Sequence, residues 1–134
     1  MKDAVLDGEI VCLDAQGRSQ FKELLFRRGE PFFYAFDLLW LNEKDVRGLP
    51  LVERKARLRR LLGRRRSHIL YLDHLEMNGS GLFKQACKLD LEGIVAKWKD
   101  GQYIADNKRS TWVKIKNPKY SQAEGREELF ERRN

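Results

Sequence analysis

The chain has 134 residues, 42% of them hydrophobic and 35% charged, with a net charge of +7 and a pI near 9.6. That length fits one domain with its own core, and no apolar run approaches the roughly 20 residues that span a membrane. The opening MKDAVLDGEI has no apolar leader segment, so a cytoplasmic protein without a membrane partner is expected, and the basic balance favours an anionic partner such as nucleic acid or a nucleotide.

In chain order, residues 4–13 (AVLDGEIVCL) read as a strand, and DAQG at 14–17 reads as a turn. Residues 19–28 suit a short helix capped by Ser19, with Phe21, Leu24 and Leu25 on one face. The aromatic-rich run PFFYAFDLLWL at 31–41, bounded by turn residues, predicts a buried strand. The clearest helix spans 49–66, with Leu51, Leu58, Leu61 and Leu62 along one side and Pro50 in its first turn. Its remaining surface is crowded with arginines, of which Arg57, Arg60, Arg64 and Arg65 are candidates for contacting nucleic-acid phosphates. A solvated helix face accounts for the same pattern. Residues 68–76 read as a strand, 80–89 as a helix, and 92–98 and 111–116 as strands separated by a polar loop. The tail from Ser121 is polar and helix-compatible. These elements give an α+β class with mainly antiparallel sheet and packed helices.

Two cysteines, Cys12 and Cys87, lie far apart in apolar runs and are expected to be reduced and structural. His68 and His74 flank an apolar run without a C-x-x-C, which disfavours zinc. Neither G-x-G-x-x-G nor G-x-x-x-x-G-K-[ST] occurs, so Rossmann and P-loop nucleotide sites are disfavoured.

Four segments carry candidate chemistry. In Asp7-Gly8-Glu9 the two carboxylates share one strand face, with Leu6, Ile10 and Cys12 on the other, and a strand-held carboxylate can ligate magnesium. Phe36 is an aromatic that can stack on a base. Glu92 precedes Gly93 at the start of an apolar strand, where it can sit beside a metal. Lys114 and Lys116 lie two apart in WVKIK, so both ammonium groups leave one strand face and can converge on a phosphate, with Val113 and Ile115 turned into a core. Each segment taken singly also suits a solvated face or ordinary packing.

Taken in order, DGEIV, FYAFDLLWL, LEGIVAKWKDGQY and TWVKIKNPKY resemble motifs III, IIIa, IV and V of the ATP-dependent DNA ligase family, over essentially the whole chain. That family belongs to the covalent nucleotidyltransferases, with RNA ligases and mRNA capping enzymes. The resemblance implies part of the ligase and capping-enzyme nucleotidyltransferase (ATP-grasp-like) domain, here the C-terminal half of an adenylation domain spanning 1–134. By the same resemblance Glu9 contacts metal or nucleotide, Phe36 stacks on adenine, Glu92 helps hold magnesium or manganese, and Lys114 and Lys116 contact the ATP phosphates. DNA is the implied partner, in repair or recombination near the nucleoid.

The family's nucleophile is a lysine in K-x-D-G, which takes AMP from ATP in covalent linkage. No K-x-D-G occurs here, and Lys99-Asp100-Gly101 lacks the intervening residue. No catalytic residue is therefore assigned, and neither an N-terminal half nor an OB-fold domain is expected within these residues. The chain is expected to be inactive alone, and either to self-associate or to work with a separate N-terminal half. The alternatives are a non-catalytic nucleic-acid-binding remnant and an RNA-ligase or capping-type fragment.

Overall fold

The aromatic-rich run at 31–41 forms the centre of the larger sheet. In the computed structural model, which describes residues 2–12, 30–63, 67–76, 79–104 and 110–121, it is strand β2 (Pro31–Leu41). Strand β1 (Ala4–Cys12) pairs with it antiparallel, and the short β3 (Lys44–Asp45) folds back along its end. Asn42 and Glu43 make that reversal with φ of 51° and 68°, the backbone of a tight hairpin turn. Strand β4 (Ile69–Tyr71) joins β2 in parallel. Helix α1 (Leu51–Leu62) packs over β2 and β4.

The remaining elements are helix α2 (Gly79–Lys88) and strands β5 (Gly93–Lys97) and β6 (Trp112–Lys116). β5 and β6 form an antiparallel pair, and α2 packs on β5. The chain divides into two compact units. One is Met1–His74 with Trp98–Thr111, and the other is Leu75–Lys97 with Trp112–Asn134. The class is α+β, with every described strand pairing antiparallel except β2–β4.

The core of the first unit is Ala35, Leu38, Val46 and Leu58, with Leu6, Phe33, Leu41, Leu61 and Leu62 packed against it. Burying one leucine such as Leu58 is worth about 1.5–3 kcal/mol. The same helix face also takes an arginine into the interior, where it meets a buried aspartate of β2. Arg54 is 1% exposed and Asp37, on β2, is also 1% exposed. They form a bidentate pair, Nε to Oδ1 at 2.8 Å and Nη2 to Oδ2 at 3.1 Å. Arg54 Nη1 also donates to the carbonyls of Leu49 at 2.5 Å and Gly101 at 2.9 Å. One guanidinium thus ties strand, helix and the segment around Gly101 together, with its donors satisfied as a buried charge requires.

Several expectations are corrected. The strand expected over 68–76 is regular only at Ile69–Tyr71. Ile10, expected inward, is 55% exposed, because among the described residues β1 is an edge strand and α1 lies over β2 and β4. Val113 and Ile115, also expected in a core, are 63% and 39% exposed. They stand on one face of a two-stranded sheet, and among the described residues no layer buries that face. The helix expected at 19–28, Arg64, Arg65 and the tail beyond Ser121 lie outside the described residues.

Breaking the buried pair should be costly, because removing one partner leaves the other charge desolvated. Asp37→Ala is expected to lower unfolding free energy by about 3–5 kcal/mol, read by urea denaturation followed by circular dichroism. A loss below about 1 kcal/mol, the worth of an exposed pair, would contradict the arrangement.

Candidate functional site

Glu9 and Phe36 belong to the first unit. Glu9 is exposed on β1 opposite Tyr34. Phe36 occupies a special position. Asp7 pairs with Asp37 and Gly8 pairs with Ala35, so Phe36 has no counterpart on β1 and is the extra residue of a β-bulge. A second bulge falls at Leu39, between the pairs Leu6–Leu38 and Val5–Trp40. Bulges bend a strand and re-aim its side chains. Here Phe36 is left half-buried between the fully buried Ala35 and Asp37.

Gly8 makes the close approach at the bulge possible. A Cβ there would stand 2.2 Å from the Tyr34 carbonyl oxygen and 2.7 Å from the Phe33 ring. Beside it, Asp7 accepts a hydrogen bond from the Tyr103 hydroxyl at 2.7 Å. Burial and that bond push the Tyr103 phenol up to about 12. The loop that supplies Tyr103 is anchored on α1. The Val52 amide donates to the Lys99 carbonyl at 3.0 Å, and Arg54 holds Gly101. Lys99-Asp100-Gly101 therefore serves as a loop fixed through its backbone, with both charged side chains exposed.

Glu92, Lys114 and Lys116 belong to the second unit. In the β5–β6 register Lys114 faces Val95, Lys116 faces Gly93 and Trp112 faces Lys97. Directly paired residues share a face, so Lys97, Lys114 and Lys116 stand on the same side of the sheet. Lys116 has no side chain opposite it. Lys97 Nζ lies 5.8 Å from the centre of the Trp112 ring, within cation–π range. Lys114 Nζ reaches Glu92 Oε1 at 3.4 Å, with the two side chains 52% and 35% exposed. An ion pair this exposed is worth about 0–1 kcal/mol, so a polyphosphate can take the lysine from it.

Two residues fix Glu92 at the mouth of this hairpin. Gly93 has φ of 156°, and a Cβ on it would lie 2.1 Å from the Ile115 carbonyl oxygen. Only glycine lets the strands meet there. Asn117, which is buried, donates its backbone N–H to the Glu92 carbonyl at 2.7 Å and its side-chain amide to the Leu91 carbonyl at 2.9 Å. The NP step after the lysines thus locks the start of β5 to the end of β6.

The structure brings Lys114, Lys116 and Glu92 together, and places Glu9 and Phe36 on adjacent strands of the other unit. Among the described residues no three His, Cys, Asp or Glu side chains gather as a metal-binding group. Glu9 and Glu92 remain suitable single oxygen donors for a magnesium ion, which is normally held by one or two carboxylates together with phosphates and water. Arg57 is half-buried and paired with Glu53 at 3.2 Å, whereas Arg60 is exposed. Sequence reasoning missed Lys97, Asn117, Tyr103 and the buried pair Arg54 and Lys55. Lys97 was legible from β5 alternation once β5 and β6 are paired.

Known proteins resemble the chain in both sequence and fold. The sequence model of the ATP dependent DNA ligase domain matches residues 1–116. The multifunctional non-homologous end joining protein LigD of Pseudomonas aeruginosa is 38% identical over 117 residues, covering 83% of this chain and 14% of that protein. A probable DNA ligase of Saccharopolyspora erythraea is 33% identical over 125 residues, covering 86% of this chain and 24% of that protein. Among solved structures, the ligase domain of M. tuberculosis LigD superposes with a TM-score of 0.70 at 31% identity, covering 84% of this chain and 38% of that one. A mycobacterial DNA ligase D complexed with ATP and MES gives 0.72 at 31% identity with the same coverages.

The Tyr103 phenol yields a pH test. Its folded value, about 12, lies above the ordinary value of 10.0, so the neutral form is favoured by folding. That contribution is complete below pH 10 and is lost as pH rises through 12. The stability gap between the native chain and Tyr103→Phe should therefore shrink between pH 9 and 12 in denaturant titrations. A gap constant across that window would refute the Tyr103–Asp7 contact.

Proposed function

The chain belongs to the ATP-dependent DNA ligase family, and we propose that it supplies part of the ATP-binding surface of a ligase adenylation domain that works in DNA end joining. The observation that carries this reading is the β5–β6 face, where Lys114 and Lys116 stand with Lys97 beside Glu92. The relatives named above are DNA ligases and end-joining proteins, which supports DNA as the ultimate substrate. The chain spans only 14% and 24% of those two proteins, so their whole activity is carried over as a proposal.

In this reading Phe36 offers its ring to adenine, and Lys114 and Lys116 neutralise the phosphates. Nucleotidyl transfer builds negative charge on the phosphoryl oxygens, and cations fixed on a strand face stabilise that charge with little reorganisation. Glu9 and Glu92 are the residues that would hold magnesium, which when bound supplies further charge neutralisation at the phosphates. Exposed Arg60 on α1 is suited to a DNA phosphate, a salt-dependent and sequence-independent contact. The amine that takes AMP in this family lies in K-x-D-G, a pattern these residues lack. This polypeptide by itself therefore holds ATP without capturing AMP.

Calorimetric titration with ATP and magnesium should show binding that weakens about tenfold or more in the Lys114→Ala, Lys116→Ala double variant, the loss expected for two charge-assisted phosphate contacts. Unchanged affinity would remove these lysines from the site. Incubation with labelled ATP should leave no radioactive protein band on a denaturing gel, and a band would overturn the statement that the chain cannot capture AMP.

A further inference from the structure

Helix α1 ends on Gly63, with φ of 57°, the residue type that enters the left-handed region without strain. Helix α2 ends differently. The Leu91 amide donates to the Ala86 carbonyl at 2.9 Å, and the Asp90 amide donates to the Cys87 carbonyl at 3.1 Å. These are the two bonds of a Schellman cap, whose left-handed position is usually glycine. Here that position is Asp90, with φ of 55°. An aspartate carries a conformational cost there that glycine avoids, so stopping the helix does not by itself call for this side chain.

Its carboxylate reaches across to the segment that follows β6. The Ser121 backbone N–H donates to Asp90 Oδ1 at 3.0 Å, and the Ser121 hydroxyl donates to Asp90 Oδ2. The β5–β6 ladder begins with Gly93 opposite Lys116, so Leu91 and Glu92 form the approach to β5 from Asp90. The facing segment is tied to itself. The Lys119 amide donates to Asn117 Oδ1 at 3.0 Å, the Tyr120 amide donates to the Asn117 carbonyl at 3.3 Å, and Asn117 and Tyr120 are buried. Asn117 also holds the carbonyls of Leu91 and Glu92. The approach is thus gripped at both ends, at Glu92 by Asn117 and at Asp90 by Ser121.

We propose that Asp90 is a positioning residue for the Glu92 carboxylate: by clasping Ser121 it fixes the approach to β5, so that Glu92 is presented beside Lys114 at the phosphate-binding face. This rests on the reading of Glu92 as a residue that would hold magnesium. Magnesium demands near-octahedral geometry at short range, and the groups that orient a ligating carboxylate matter to binding nearly as much as the ligand itself. Asp90 acts through the main chain of 90–92 and contacts neither metal nor nucleotide in this account.

The test is calorimetric titration of the whole chain with ATP, with and without magnesium. The quantity read is the gain in ATP affinity that magnesium brings. Glu92→Gln is expected to cut that gain about tenfold or more, as loss of a metal-holding group does. Asp90→Gly removes the clasp and keeps the left-handed cap, so the helix stop is preserved. It is expected to cut the gain about three- to tenfold, within the range of coupled neighbours. Ser121→Ala removes the hydroxyl without changing charge or the cap, and is expected to cut the gain about two- to threefold, the low end of that range. It also carries the test if Asp90→Gly does not fold. In the Glu92→Gln background Asp90→Gly should have no further effect on the gain. Three results would overturn the proposal and leave the Glu92 reading standing: a full gain in both clasp variants, equal weakening with and without magnesium, or an undiminished Asp90 effect in the Glu92→Gln background. If Glu92→Gln itself leaves the gain unchanged, Glu92 does not hold the metal, and the role of Asp90 fails with it.

Discussion

The ion pair between Arg54 and Asp37 is the constraint on which the first unit depends. Both groups are almost wholly removed from water, and their mutual attraction at best offsets the cost of dehydrating them. The pair therefore adds little net stability over a packed apolar pair. Its value lies in what it forbids. With Asp37 buried, β2 cannot slide by one residue without stranding a carboxylate. With Nη1 committed to Leu49 and Gly101, the start of α1 and the segment around Gly101 are fixed relative to that strand. The Tyr103 ring, near the same guanidinium at 5.9 Å, then carries the constraint to Asp7 on β1.

Two glycines extend the same logic to the motif carboxylates. Gly8 admits the backbone contact that accompanies the bulge, and Gly93 admits the contact that brings β5 onto β6. Each glycine is adjacent to the acid it serves, Gly8 to Glu9 and Gly93 to Glu92. A pattern of glycine beside glutamate thus has a steric meaning. The chain must approach a neighbouring backbone closely where the carboxylate is displayed, and any side chain on the glycine would push the strands apart.

Much of the fold was legible because hydrophobic period reports burial. The run at 31–41, the helix beginning near Leu51 and the strands around Gly93 and Val113 all stand where the pattern places them. The pattern failed where burial and polarity part company. Positions 51, 54, 55, 58 and 62 follow the spacing of one helix face, yet 54 and 55 are Arg and Lys and read as solvated. An aspartate inside FDLL was the complementary signal, since an acid in a buried strand calls for a cation from a neighbouring element. The bulges at Phe36 and Leu39 left no trace, because an inserted residue is silent in a run that is apolar on both faces. Val113 and Ile115 were misplaced for the opposite reason. Alternation separates the two faces of a strand, but it does not say that both are covered.

The candidate residues consequently sit in two different electrostatic settings. Phe36 is displayed from a segment whose neighbouring charges are buried and hydrogen-bonded, where salt has little access. Lys114 and Lys116 stand on an exposed face, and the nearest carboxylate to Lys114 is itself half in water. Attraction for phosphates at such a face is screened as ionic strength rises, while stacking on an aromatic ring is not. In the proposed reading, stacking on a base and grip on phosphates are thus supplied by parts of the chain with different physics. The first depends on strand shape enforced from within, and the second on charge density open to solvent. In that reading a substitution on β6 changes phosphate affinity without altering the shape of β2.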